Sequence, residues 1–192
     1  MMRLIAEAWL ALQGVWRILT FKPGWQDYFD PSLGGLQRSF AAAGLALPSV
    51  AIILAGVWYG SGQLNLFQNL LVYGLSWVVF PLAAALATAI SGARGQWAGW
   101  VILHNWTTLF TFAIQAGCWM LYIAGLIDLP ILGILLGLYN YLRILIHWRL
   151  AYVALGLPTI TSALLAAIPY LAAQVLVVII SLTLSPPAVP TS

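Results

Sequence analysis

The sequence predicts an all-α protein: a polytopic transmembrane helical bundle of about five spans, preceded by an N-terminal amphipathic interfacial helix. Three observations carry that prediction. Hydrophobic residues make up 63% of the chain and charged residues only 6%, against about 25% charged in soluble domains. The mean hydropathy of +0.99 leaves far more apolar surface than a soluble fold can hide. The apolar residues come in runs of about 20 or more, the length a helix needs to cross roughly 30 Å of hydrocarbon. These runs do not alternate apolar with polar as the strands of a membrane β-barrel do. A chain of 192 residues then holds one bundle with no room for a soluble domain.

Composition also excludes several functions. The net charge of +3 comes from seven Lys/Arg against four acids, with no basic cluster interleaved with aromatics, so no nucleic-acid surface is expected. The single Cys118 sits in an apolar run and can build neither a disulfide nor a zinc site within one chain. It reads as a buried structural thiol. No catalytic motif, glycine-rich phosphate loop or HExxH occurs, so a non-enzymatic protein without a cofactor is expected.

Residues 1–39 read as the interfacial helix followed by an aromatic, acidic turn. Leu4, Ile5, Ala8, Trp9, Leu12, Trp16 and Leu19 recur at helical spacing with Arg3, Glu7, Gln13 and Arg17 between them. Charges recur too often for a span, and no small-residue cleavage site follows a short apolar core as in a signal peptide. The helix is expected flat on the cytoplasmic leaflet with its arginines toward anionic headgroups; the alternative is packing on the cytoplasmic end of the bundle. Lys22-Pro23-Gly24 ends it. Asp30 ahead of Pro31 and Ser32 is expected to cap the next helix.

Residues 40–184 read as the five-span bundle. The spans run from Phe40 to Tyr59, Leu66 to Ile90, Trp97 to Ile127, Ile131 to Leu155 and Thr159 to Leu184, with Pro48, Pro81 and Pro169 inside three of them. Trp58 and Tyr59 are interfacial anchors. Gly133 and Gly137 form a G-x-x-x-G helix-packing pair. Residues 185–192 are a Pro-rich tail that cannot be helical. By the positive-inside rule, Arg3, Arg17, Lys22, Arg38, Arg94 and Arg149 put the N-terminus in the cytoplasm and the C-terminus outside, as for a protein of a bacterial inner membrane.

The polar residues inside these spans are the candidate site. Asn140, Arg143 and His147 fall at i, i+3 and i+7 of the fourth span and so share a helix face. A guanidinium in hydrocarbon costs roughly 2.5–3.5 kcal/mol or more, so Arg143 needs a partner, a wet cavity or the headgroups. At about 1.5 Å per residue, His104 and Asn105 lie about 10–12 Å from the cytoplasmic surface, and His147 and Arg143 about 8 and 14 Å. Spans joined by a short turn usually pack together, which predicts one cluster of His104, Asn105, Asn140, Arg143 and His147.

No span contains an acid, so the candidate counterions are Asp27 or Asp30 folding in, a lipid phosphate, or a soluble anion. The alternatives are snorkelling of Arg143 to the headgroups and hydrogen-bonded glue between helices. Two histidines without Cys or carboxylate fall short of a metal set, although as axial ligands they would suit a haem.

The Tyr28-Phe29-Asp30 and Leu36-Gln37-Arg38-Ser39-Phe40 segments, His104-Asn105-Trp106, and Ile146-His147-Trp148-Arg149-Leu150-Ala151, in a chain with an aromatic N-terminal segment ahead of five close spans, carry a resemblance. The chain resembles the Yip (Rab/Ypt-interacting) family with its small prokaryotic relatives, and a group of uncharacterised alphaproteobacterial inner-membrane proteins. It lacks the sizeable cytosolic domain of eukaryotic members. The resemblance implies a membrane-organising or scaffold protein whose partners are membrane lipids, other membrane proteins or further copies of itself. Two other functions fit the residues: a small anion transporter or channel with its site at Arg143, and an accessory subunit of a larger membrane complex.

Overall fold

Every regular element is helical among residues 2–184, which the computed structural model describes, with side chains from Leu4 onward. The helices are α1 (Met2–Leu19), α2 (Leu33–Ser39), α3 (Ala41–Ser61), α4 (Leu66–Ile90), α5 (Trp97–Ile123), α6 (Leu129–Leu155) and α7 (Thr159–Leu184), with 3₁₀ turns at Gln26–Tyr28 and Arg94–Gln96. The Pro-rich tail at 185–192 and the Arg3 side chain lie outside the described residues.

Among the described residues, four helical stretches are long and apolar enough to cross a membrane: Leu33–Ser61, Leu66–Ile90, Leu129–Leu155 and Thr159–Leu184. Their outward faces carry large apolar side chains such as Leu82, Leu138, Leu164 and Leu182, all well exposed. In water such a surface would aggregate, whereas a bilayer solvates it. This is a membrane protein.

The helix boundaries follow local chemistry. Asn65 caps α4 by accepting from the Gln68 amide at 3.0 Å. Asp128 caps α6 by accepting from the Ile131 amide at 2.9 Å, with Pro130 in the first turn. Gly62 and Gly156 close α3 and α6 in the left-handed conformation that glycine adopts without strain.

Three sequence expectations shift. The cap of α2 is Ser32 rather than Asp30: the Ser32 hydroxyl accepts from the Gly35 amide at 3.1 Å. Asp30 instead accepts from the Ser32 amide and pairs with Arg38. The first apolar stretch begins at Leu33, not Phe40, because α2 runs into α3 across a near-helical Phe40. Finally, α5 stops at Ile123 because Gly125 takes a positive φ.

Helix α5 is the hub. It packs lengthwise against α3 and α6, and against α1, α2 and α4. Its inward residues Trp100, Val101, Ile102, Leu103 and Trp106 are almost wholly buried. Helices α4 and α7 pack along each other, as do α6 and α7. α4 leans on α7 far more than on α3 or α5, which leaves space between α4 and the α5–α6 pair.

Helix α1 packs on α5 and α6 through Ala11, Val15 and Ile18, which matches the bundle-end alternative. The Arg149 guanidinium of α6 donates through Nε to the Ile18 carbonyl at 2.9 Å, which also accepts from the Phe21 amide at 3.3 Å at the end of α1. Ile5, Trp9 and Trp16 point the other way and stay more than half exposed.

Arg38 ties the N-terminal segment together: its Nε reaches Glu7 Oε2 at 2.9 Å and its Nη2 reaches Asp30. The Ser32 hydrogen bonds, with help from Arg38, hold the Asp30 carboxyl down at about 2, below its ordinary 3.8. A carboxyl depressed on folding stabilises above its unfolded pKa, and that contribution fades as pH falls through the folded value. The melting temperature of the wild type should therefore exceed that of Asp30→Asn at pH 6, and the gap should close between about pH 4 and pH 2.

Candidate functional site

The space between α4 and the α5–α6 pair is a partly open cavity of about 320 Å³, bordered by α7 and by Val50, Ile53 and Leu54 of α3. Its polar lining comes from four helices. α5 supplies His104, Thr107, Thr108, Thr111 and Gln115, a stripe at helical spacing. α6 supplies Tyr139, Arg143 and His147, α7 supplies Gln174, and α4 supplies Asn69, Tyr73 and Ser76.

Three residues of the expected cluster meet here. The His104 and His147 rings lie 5.2 Å apart between centroids, and Phe80 of α4 lies flat on His104 at 3.3 Å. Tyr170 stands edge-on to His147 at 5.5 Å. These rings fill the space beside both imidazoles and leave no room for a macrocycle between them. His104 Nε2 shares a 3.2 Å hydrogen bond with the Thr108 hydroxyl one turn along. Arg143 lines the same cavity, with its guanidinium carbon 5.8 Å from the centre of the Tyr139 ring.

Two residues do not join them. Asn140 is exposed, and its amide donates back to the Leu136 carbonyl at 3.1 Å. The packed face of α6 is set by Leu132, Tyr139, Ile146 and Leu150, which includes Arg143 but passes Asn140 by. Asn105 is fully buried but turned about 100° from His104, toward α2. There its Nδ2 donates to the Ser39 hydroxyl at 2.9 Å, and Ser39 donates onward to the Leu36 carbonyl at 2.7 Å. Asn105 is therefore glue between α5 and α2. Ser39→Ala should lower stability by about 1–3 kcal/mol, since Asn105 Oδ1 already lacks a partner and the whole amide would be stranded. Chemical denaturation in detergent measures this.

The expected counterions are also elsewhere. Asp30 is committed to Arg38, and Asp27 is exposed in the turn after α1. Ion pairs among the described residues join Arg38 to Glu7 and Asp30, and none reaches Arg143.

Arg143 sits near the middle of α6. Arg143 lies fourteen residues from Leu129 and twelve from Leu155, about 21 and 18 Å from the two ends of α6. Three methylenes and a guanidinium do not reach that far. The charge is held at the helix midpoint, facing the cavity. Three other polar atoms around the cavity are buried and unpartnered, Trp77 Nε1, Thr107 Oγ1 and His147 Nδ1. Buried polar groups nearly always find partners, so a water or a ligand is the natural occupant of the space they border.

Thr107, Thr111, Gln115, Tyr139 and Gln174 are among the lining residues that depth arithmetic did not single out. The signal for the first three was present, because positions 104, 107, 111 and 115 recur every three to four residues along α5. Among the described residues no group of three or more His, Cys, Asp or Glu could hold a metal ion. Compared with known proteins, the chain matches no family model, no curated protein and no solved structure.

Proposed function

We propose that this protein is a non-enzymatic, five-span membrane protein that binds and passes a small organic or inorganic oxyanion through the cavity at Arg143. One observation carries the reading: a guanidinium without an ion-pair partner among the described residues, near the midpoint of a membrane-length helix, lines a partly open cavity. No acid lines that cavity, so its one fixed charge is positive. Hydroxyls, amides and imidazoles surround the charge and suit an oxygen-rich ligand. At roughly 30 Å³ per water, about 320 Å³ holds about ten waters, or an anion of similar bulk. That volume lies at the small end of ligand sites.

The fifth span is α5. Its 27 residues reach about 40 Å, enough to cross. Neighbouring helices shield it from lipid and its polar stripe faces the cavity. With α5 crossing, Arg17, Lys22, Arg38, Arg94 and Arg149 gather at one end of the bundle while the 62–65 loop and the Asp128 turn carry no positive charge. The N-terminus is then cytoplasmic, in keeping with a bacterial inner membrane.

The test is a ligand screen followed by flux. Purified protein is melted with millimolar chloride, acetate, pyruvate, phosphate and sulfate, and any stabilising anion is followed into proteoliposomes. Anion-specific stabilisation and uptake that disappear in Arg143→Met support the reading. Equal behaviour of both proteins across the panel contradicts it.

A second reading has its own observation. The exposed Ile5, Trp9 and Trp16 edge of α1 favours a Yip-like membrane-organising role through the leaflet or a partner protein. Copurification of a fixed partner that is lost in a Trp9→Ser/Trp16→Ser variant, with no anion response, would select it.

A further inference from the structure

We infer that the end of α1 and the turn that follows it form a binding site for the phosphate of an anionic membrane lipid. The site is a cleft separate from the Arg143 cavity, lined by Leu12, Gln13, Trp16, Arg17, Lys22 and Tyr28. It has two chemical halves. Leu12 and Trp16 belong to the apolar edge of α1 that faces away from the bundle, and Trp16 is 62% exposed. Arg17 and Lys22 form the other half.

The cationic half is built in advance. Arg17 Nε donates to the Tyr28 hydroxyl at 3.1 Å and Nη1 donates to the Pro23 carbonyl at 2.9 Å, while the guanidinium sits 5.3 Å from the Tyr28 ring centre. These contacts fix the guanidinium plane and leave Nη2 to an incoming oxygen. The Lys22 amide donates to the Arg17 carbonyl at 2.8 Å, which folds the lysine back beside the arginine. Gly24, at φ 74, makes the turn that brings the Pro23 carbonyl to Arg17.

Charge balance favours an anion. Glu7 and Asp30 are both engaged by Arg38. Asp27, the acid of the same turn, is outside the lining and forms no ion pair with a described residue. A cleft with two cations on one side and a tryptophan edge on the other matches a phospholipid at the interface, phosphate against Arg17 and Lys22 and acyl chain against Trp16. The site rests on α1 lying at the cytoplasmic leaflet.

The experiment uses the full chain in nanodiscs of equal phosphatidylglycerol and phosphatidylcholine, with retained lipids read by native mass spectrometry. The wild type should retain phosphatidylglycerol preferentially. Lys22→Gln should cut that preference about fivefold, and Arg17→Gln/Lys22→Gln roughly thirtyfold. Lys22→Gln is the decisive variant, because the Lys22 side chain holds no part of the turn. An unchanged preference in both variants overturns the site. Inorganic phosphate binding with the same dependence, without phosphatidylglycerol enrichment, overturns the lipid as occupant. Leaflet placement is read separately, from a fluorophore on Trp9→Cys in a Cys118→Ser background and its quenching by lipid-borne nitroxide. Quenching with no headgroup preference means the placement stands and the site fails; absence of quenching removes the placement itself.

Discussion

Arg143→Met is expected to abolish anion binding and flux while leaving the bundle folded and about 1.5–3 kcal/mol more stable. The expectation comes from opposing terms of known size. A charged side chain at the centre of a membrane helix costs about 2.5–3.5 kcal/mol, and the Tyr139 contact returns about 0.5–1 kcal/mol. No acid repays the rest, since Glu7 and Asp30 are held by Arg38 at the N-terminal end of the fold. Methionine fills similar space without the charge. Denaturant midpoints and anion uptake on the same preparations check it. A residue kept for structure would behave in the opposite way, with stability falling and binding falling only as a consequence.

The second large effect is at Gly35. A Cβ there would lie 2.0 Å from the Asp30 carbonyl oxygen, and backbone cannot yield as a flexible side-chain tip would. Asp30 is pinned by the Ser32 amide and by Arg38, so the clash must open the turn that joins α2 to the N-terminal segment. Helix propensity would favour alanine over glycine by about 1 kcal/mol, but overpacking against fixed backbone costs about 1–3 kcal/mol. Gly35→Ala should destabilise and loosen the Arg38 contacts. Gly44→Ala is the matched control, since nothing lies within 4 Å of its Cβ and propensity alone should act. Melting temperatures that fall for the first and hold or rise for the second are the expected pair.

The class of the protein and most helix limits were legible because apolar length is a one-dimensional property. Residues 66–90 and 159–184 come out with the same ends in sequence and structure, and the fourth stretch differs by two residues at its start. The site was half legible. Position along a helix follows from counting, and His104, Arg143 and His147 line one cavity. Azimuth does not follow from counting alone. His104 and Asn105 are neighbours in sequence and therefore face different helices. Asn140 shares a rough face with Arg143, but the packing partner of α6 covers the side marked by Tyr139 and Ile146.

The capping residue was missed for a similar reason. Asp30 and Ser32 both have a capping side chain, and the distant Arg38 and Glu7 decided between them. The cavity itself was not legible, because it arises from α4 leaning on α7 and leaving α5.

The most direct measurement of the central claim is the reactivity of a cysteine placed inside the cavity. Thr107→Cys in a Cys118→Ser background is reconstituted and treated with anionic sulfonate and cationic trimethylammonium methanethiosulfonates. A positively charged cavity reached from water predicts clear modification with the anionic reagent faster, and loss of that preference when Arg143→Met is added. A thiol that neither reagent reaches, or rates that ignore the sign of the reagent's charge, would contradict it.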